Sequence, residues 1–314
     1  MLLPIARRHW FEIDDQPWFP SFLRERVQAS LTILWTLKVP IIQGASCASL
    51  LANKLRSILG SALQSYTFVD FCSGGGGPTP FVERNINRTI RGNAAWSQTK
   101  STANDIELVQ LNGAGKTQRE GGVDFVLTDI HPHLEAWERA AKKSDRLKYI
   151  ESSVDAGDAP KDILALATGD ESRQQKKVFR LFSLAFHHFD DPAARRILQN
   201  TLETSSGFGI FELQDRTLEG LLTALVLFPS LWAGSWYWFW GDWTHLFWTY
   251  VIPVVPFVVV FDGLMSCVRM RSGEEILRLM EGLKGKEGWR FETGSTMHTW
   301  PTGRMTYFVG IKDD

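Results

Sequence analysis

Residues 68–80 read FVDFCSGGGGPTP: an apolar run closed by Asp70, four consecutive glycines from Gly74 to Gly77, then Pro78. A strand that ends in an acid and turns through glycine into a helix leaves backbone N–H groups and a helix N-terminus open to a ligand, where side chains would block the approach. Around this turn, strand and helix signals alternate. TFVDF, VDFVLTD, LKYIESSVD, VFRLFSLAF and GFGIFEL are short apolar runs typical of buried strands; PFVERNI, PHLEAWERAAKK and DDPAARRILQNTL have helical character. In the last of these, Asp191 is placed to cap and Pro192 to occupy the first helical position. Such alternation predicts a parallel α/β sheet. Ser272 and Glu275 form a capping-box pattern at the start of GEEILRLMEGL, and WRFET and MTYFVGIK predict two closing strands with an antiparallel return.

The whole-chain numbers bound what the turn can serve. At 314 residues the chain is long enough for one large domain or two small ones. Its 34 basic and 35 acidic residues nearly cancel, so there is no electrostatic footprint for nucleic acid, and a small, nearly neutral substrate fits better. Cys47, Cys72 and Cys267 are far apart and lack paired metal-ligand spacing, so neither a disulfide framework nor a metal site is expected. The opening MLLPIARRHWFEIDD has too short an apolar run for a secretory signal, which predicts a cytosolic location. Residues 1–64 read as a helical cap, broken near Pro40, before a domain over 65–314. Within that domain 87–122 is polar and glycine-rich and reads as a surface insertion.

Residues 221–261 are the compositional anomaly. Two charge-free runs, LLTALVLFPSLWAGSWYWFW and LFWTYVIPVVPFVVVF, are separated by GDWTH, and six of the 13 tryptophans fall here. Tryptophan favours the boundary between apolar and wet surroundings. The first run has the ~20 residues that span a bilayer as a helix, and Pro229, Pro253 and Pro256 are expected to interrupt the two runs. Because flanking strands must join one sheet, the chain has to return to the side it left. An interfacial or re-entrant lid is therefore expected, with possible contact to a membrane surface on the cytosolic side; a helical pair packed over the sheet of a soluble protein is the competing reading.

Asp70, Cys72, Gly74 and Gly76 together resemble the first motif of the class I S-adenosylmethionine-dependent methyltransferases, with Cys72 where that family usually has its first glycine. The resemblance spans roughly 67–213 and the closing helix and strands. It implies a Rossmann-like α/β fold: a mostly parallel seven-stranded sheet with an antiparallel last strand. It also implies S-adenosyl-L-methionine as cofactor, held by Asp70, Cys72, Ser73, Gly74, Gly75 and Gly76. Asp129, after the second strand, corresponds to the acid that grips the ribose hydroxyls, although it follows Gly76 by more than the ~20 residues usual between glycine loop and ribose acid. Capping of the helix near Pro132 is the alternative role for Asp129. Asp155 and Ala156 resemble the pair near the adenine. SLAFHHFDD is similar to the motif that closes the cofactor pocket in many small-molecule methyltransferases, and it implies that His187 and His188 line the floor where the methyl group moves. Either could act as a general base, or one could pack on the sheet while the other shapes the pocket. EIDDQPWFP and FDGLMSCVRM are similar to stretches in uncharacterised bacterial methyltransferase-like proteins.

These readings predict methyl transfer to a lipophilic or aromatic small molecule, with Glu212 and Arg216 placed to orient it or else forming an ordinary surface ion pair. A methyltransferase fold repurposed for cyclisation or rearrangement, and a membrane-associated binding protein without catalysis, are the competing functions.

Overall fold

The computed structural model describes residues 6–101, 121–168 and 176–313. Seven strands form one sheet: β1 (Tyr66–Asp70), β2 (Phe125–Leu127), β3 (Leu147–Tyr149), β4 (Lys177–Ser183), β5 (Gly207–Glu212), β6 (Trp289–Thr299) and β7 (Gly303–Lys312). Their order is β3-β2-β1-β4-β5-β7-β6. The pairings among β1 to β5 are parallel, and β7 runs antiparallel to both β5 and β6. This is the Rossmann-like sheet with a reversed last strand that the sequence predicts.

Alternation along β1 separates two cores, because successive side chains leave opposite faces of a strand. On one face Phe68 stacks on Phe125 at 4.9 Å, beneath α2 (Cys47–Leu59) and α3 (Thr79–Ser101) through Leu51, Leu55, Val82 and Ile86. On the other, Val69 and Phe71 pack with Phe182 under α6 (Asp191–Thr204) and α10 (Gly273–Leu279). Short helices α4 (Leu134–Ala141) and α5 (Ile163–Thr168) complete the flanks. α6 is capped by Asp190, one residue earlier than expected, whose side chain accepts from the Ala193 N–H; Asp191 is instead the first helical residue. The capping box of Ser272 and Glu275 is formed.

The expected N-terminal cap divides in two. α2 belongs to the sheet's own core, whereas α1 (Ser21–Thr36) packs against the apolar segment. That segment folds as α7 (Leu218–Trp238), a short α8 (Trp243–Leu246), one π-helical turn over Phe247–Val251, and α9 (Val254–Arg269). Phe19, Leu23 and Val27 meet Leu231, Val258 and Val259 in a third apolar cluster. Pro229 does not interrupt α7; it sits exposed within the unbroken helix. Pro253 caps α9 and Pro256 lies in its first turn, where an amide has no intrahelical partner to lose. α7 is long and apolar enough to cross a membrane, and the bent pair Trp243–Val251 and Val254–Arg269 passes the same test of length and composition.

Residues 87–101 continue α3 rather than forming a surface insertion. Asn87 is buried, and its side chain bonds both the N–H and the carbonyl of Val123, fastening the helix to the entry of β2. Residues 102–120 of the expected insertion lie outside the described residues.

Candidate functional site

The glycine turn joins β1 to α3 at the carboxyl end of the parallel strands, where open α/β sheets bind ligands. Cys72, Gly74, Gly76 and Gly77 all have positive φ, at 59°, 49°, 106° and 48°. Cys72 thus takes, with a side chain, the left-handed conformation that glycine adopts without a Cβ penalty. Ser73 closes the turn, its N–H reaching the Thr128 carbonyl at 3.1 Å and its carbonyl accepting from Gly76 N at 2.7 Å. A Cβ on Gly74 would meet only Gln28 Nε2, at 3.9 Å, and one on Gly75 would meet Gln28 Oε1 at 3.5 Å. The turn therefore faces open space bounded by α1.

Asp70 is fully buried and accepts from Thr79 Oγ1 at 2.6 Å through Oδ2, while Oδ1 has no partner among the described residues. Burial pushes its carboxyl up to about 7, against the Thr79 and Ser73 hydrogen bonds. Asp129, two residues past β2, is half-buried; its Oδ2 accepts from Gly74 N at 2.9 Å and its Oδ1 from His131 N at 2.8 Å. It does not cap α4, whose N-cap position is His133. The Asp129 carbonyl accepts from Val154 N, which brings Asp155 and Ala156 alongside. Asp155 accepts from Gly157 N at 2.7 Å and pairs with Arg196 at 2.9 Å. Ala156 is buried, and its carbonyl accepts from Arg180, a β4 guanidinium lying over the Phe71 ring.

At the carboxyl end of β4 the two histidines separate. His187 is buried between two acids: its Nδ1 lies 2.9 Å from Glu212 and its Nε2 3.5 Å from Glu12 and 3.2 Å from the Ser266 hydroxyl. Burial alone would favour the neutral ring, but the charges of Glu212 and Glu12 outweigh it and raise the imidazole to about 10. His188 is half-exposed, with Nδ1 2.9 Å from Asp15 and 3.5 Å from Glu12. Arg269 of α9 completes the network at 2.9 Å from Glu12 and 3.3 Å from Asp15. Despite its burial, Glu12 is held well below the usual carboxylate range by His188, His187 and Arg269. Donor atoms of Glu12, His187 and His188 lie within 4.8 Å of one another. Each already faces a charged or proton-bearing partner, and the group reads as an ion network.

This network forms one end of an apolar cavity of about 290 Å³, enclosed by α1, α7, α9 and the β6–β7 connection. Leu31, Leu34, Leu227 and Leu231 line its body, and Glu12, Asp14, Asp262, His187 and His188 its polar end. Glu212 reaches this end through its bond to His187. Arg216 does not line this cavity; it pairs with Glu275 at 2.7 Å and, with Glu212, borders a separate cavity of about 250 Å³. It is buried, which excludes the surface ion-pair reading, and Glu275 rather than Glu212 is its acid partner. Glu12, Asp15, Gln28, Ser266 and Arg269 carry no catalytic signal in one sequence, although EIDDQPWFP and FDGLMSCVRM contain four of them.

A central β1, its acid followed by the glycine turn, and a seventh strand reversed between the fifth and sixth are now in place. The fold is that of the class I methyltransferases. No family model matches the sequence, and no curated protein matches it. Among solved structures, the chain is similar to magnesium protoporphyrin IX methyltransferase from Synechocystis PCC 6803 with bound SAH, at 9% identity and a TM-score of 0.42 over 96% of this chain and 91% of that one. It is also similar to the pyocyanin biosynthetic protein PhzM, at 14% identity and 0.39 over 85% and 56%, and to the mitomycin 7-O-methyltransferase MmcR, at 14% and 0.39 over 84% and 54%. The chain thus spans little more than half of these last two. Strand order and register decide the fold; likenesses of this size add nothing to it.

Proposed function

We propose that this protein transfers a methyl group from S-adenosyl-L-methionine to a lipophilic small molecule held in the cavity under α7 and α9. The observation that carries the reading is the shared end of the sheet: the open glycine turn with Asp129 on one side, and the acid–histidine end of an apolar cavity on the other. The turn suits the cofactor, because its outer surface is free of side chains and Asp129 stands beside it as a hydroxyl acceptor. The backbone N–H groups of Cys72 and Gly75 and the Asp129 carboxylate would hold it, with Asp70, Ser73, Gly74 and Gly76 fixing the turn through their own hydrogen bonds and Asp155 and Ala156 bordering the adjoining strand end. When bound, S-adenosyl-L-methionine supplies a methyl carbon activated by its positively charged sulfur.

The chain's own groups hold and prepare the acceptor. The apolar body of the cavity desolvates it, and methyl transfer gains from fixing two reactants in one geometry. His188, half-exposed and oriented by Asp15, takes the acceptor's proton and passes it to solvent. His187 is buried between Glu212 and Glu12, whose charges raise its imidazole and favour the protonated ring, so it positions the floor rather than acting as base.

The outward face of the apolar segment supports contact with the cytosolic face of a membrane. Trp232, Trp236, Tyr237, Trp240 and Trp243 are each at least 50% exposed. Such aromatic side chains settle at the interface between hydrocarbon and water. Labelled S-adenosyl-L-methionine with a panel of lipophilic acceptors tests the activity, with methyl incorporation expected for wild type and none for Gly74→Val. Flotation with liposomes tests the contact, and the paired change Trp236→Ser and Trp240→Ser is expected to reduce it; equal flotation would remove the membrane from the proposal.

A further inference from the structure

The polar end of the cavity has a sign of charge that its apolar body does not explain. Among the described residues that line the cavity, the acids are Glu12, Asp14 and Asp262 and the histidines are His187, His188 and His298, with no lysine or arginine on the wall. Glu12 is matched by His187 and Arg269. Asp262 accepts from the N–H groups of Ile13 and Asp14 at 2.6 and 3.0 Å. Asp14 is different. Its side chain is 21% exposed, but its Oδ1 atom is buried with no hydrogen-bond partner among the described residues, and the ion pair it makes with Arg24 Nε is long, at 3.9 Å.

A buried carboxylate oxygen without a donor is costly, and a cationic ligand would supply both an N–H group to Oδ1 and a closer charge than Arg24. A neutral hydroxyl would supply a donor to Asp14 but no charge, and a carboxylate would add another like charge. We propose that the cavity selects a lipophilic amine, its ammonium head against Asp14 on the side of Asp262 and its apolar body along α1 and α7. The proposal rests on the reading of this cavity as the acceptor site and narrows the acceptor to an amine. Burial, with Asp262 as the next cause, pushes the Asp14 carboxyl up to about 7; burial also pushes Asp262 to about 6, against the two backbone N–H groups. An approaching ammonium favours the ionised form of both.

Calorimetry on the full-length protein saturated with S-adenosylhomocysteine tests this with three probes of one shape: phenylbutylamine, phenylbutanol and phenylbutyrate. The amine is expected to bind at least about tenfold more tightly than the alcohol, the scale of one charged hydrogen bond, and the acid most weakly. Asp14→Asn should remove the amine's advantage and leave alcohol binding unchanged, which also shows that the variant is folded. Arg24→Gln, which removes the competing cation, should keep or increase the preference. Equal binding of amine and alcohol by wild type, or a preference that survives Asp14→Asn, overturns the inference. If the alcohol alone binds and is methylated, the inference fails while the methyl-transfer reading stands. If the amine binds as expected and no methyl is transferred, the reading fails and the inference stands.

Discussion

The two sides of the cleft solve their problems with different parts of the chain. At the glycine turn the backbone sets the geometry: four positive φ angles within six residues keep its outer surface clear of side chains, and Asp129 braces it from the end of the next strand through Gly74 N. At the histidine end the geometry belongs to side chains gathered from the N-terminal segment, the turn after β4, β5 and α9, whose charges are largely buried and balanced against one another. Damage to the first side should therefore act on cofactor binding with little effect on stability. Damage to the second should act on both folding and turnover.

Glu12→Ala is expected to have the largest effect. It leaves Arg269 and His187 without their shared acid, and breaking a buried ion pair by removing one partner costs about 3–5 kcal/mol. Urea denaturation followed by circular dichroism measures it, and a loss below about 1 kcal/mol, the scale of an exposed pair, would mean that the network is not stabilising the fold. Gly74→Val tests the opposite side. A branched side chain at φ 49° strains the turn and projects into the space beside Gln28, so S-adenosylhomocysteine binding should be lost in calorimetry while the circular dichroism spectrum is kept.

Asp129→Ala should weaken cofactor binding by ~1.5–3 kcal/mol, the value of hydrogen bonds to a charged group. Unchanged affinity would leave Asp129 as a local brace for Gly74 and His131. The histidines sharpen the contrast within one motif. His188→Ala should lower turnover by about a hundredfold or more with little change in cofactor affinity, as for loss of a general base. His187→Ala should instead lower stability together with turnover, because Glu12 and Glu212 lose the cation between them. Equal melting temperatures for the two variants would contradict the division of roles.

The last comparison is a slope. Asp70 has a folded value of about 7 against an ordinary 3.8, so between these pH values the native state holds a proton that the unfolded chain has released. Stability contributed at Asp70 therefore falls as pH rises from about 4 to 7, by at most about 1.4 kcal/mol per unit. Asp70→Asn should flatten that part of the stability curve relative to wild type. A parallel curve would show that Asp70 is ionised in the folded protein throughout.

The sheet was legible because its strands are short apolar runs separated by strong turn signals, and period and punctuation are local properties. Cys72 kept the turn readable even without the first glycine, since Gly74, Gly76 and Gly77 still supply most of the left-handed positions. The expected break at Pro229 and the loop at 87–101 went the other way. An exposed proline was accommodated within α7, and Asn87 fastened α3 to the start of β2, contacts that no local window contains.

By itself the sequence determined the α/β order, the glycine turn, the acid after the second strand and the paired histidines. Each of these depends on residues near one another in the chain. Tertiary structure decided which histidine is buried between two acids, that Glu212 serves His187 while Arg216 turns to Glu275, and that Glu12 and Asp14 reach a cavity walled by α7 and α9. Those outcomes depend on burial and on the approach of charges from 25 to about 255 residues apart, distances over which the order of side chains carries no record of which will meet.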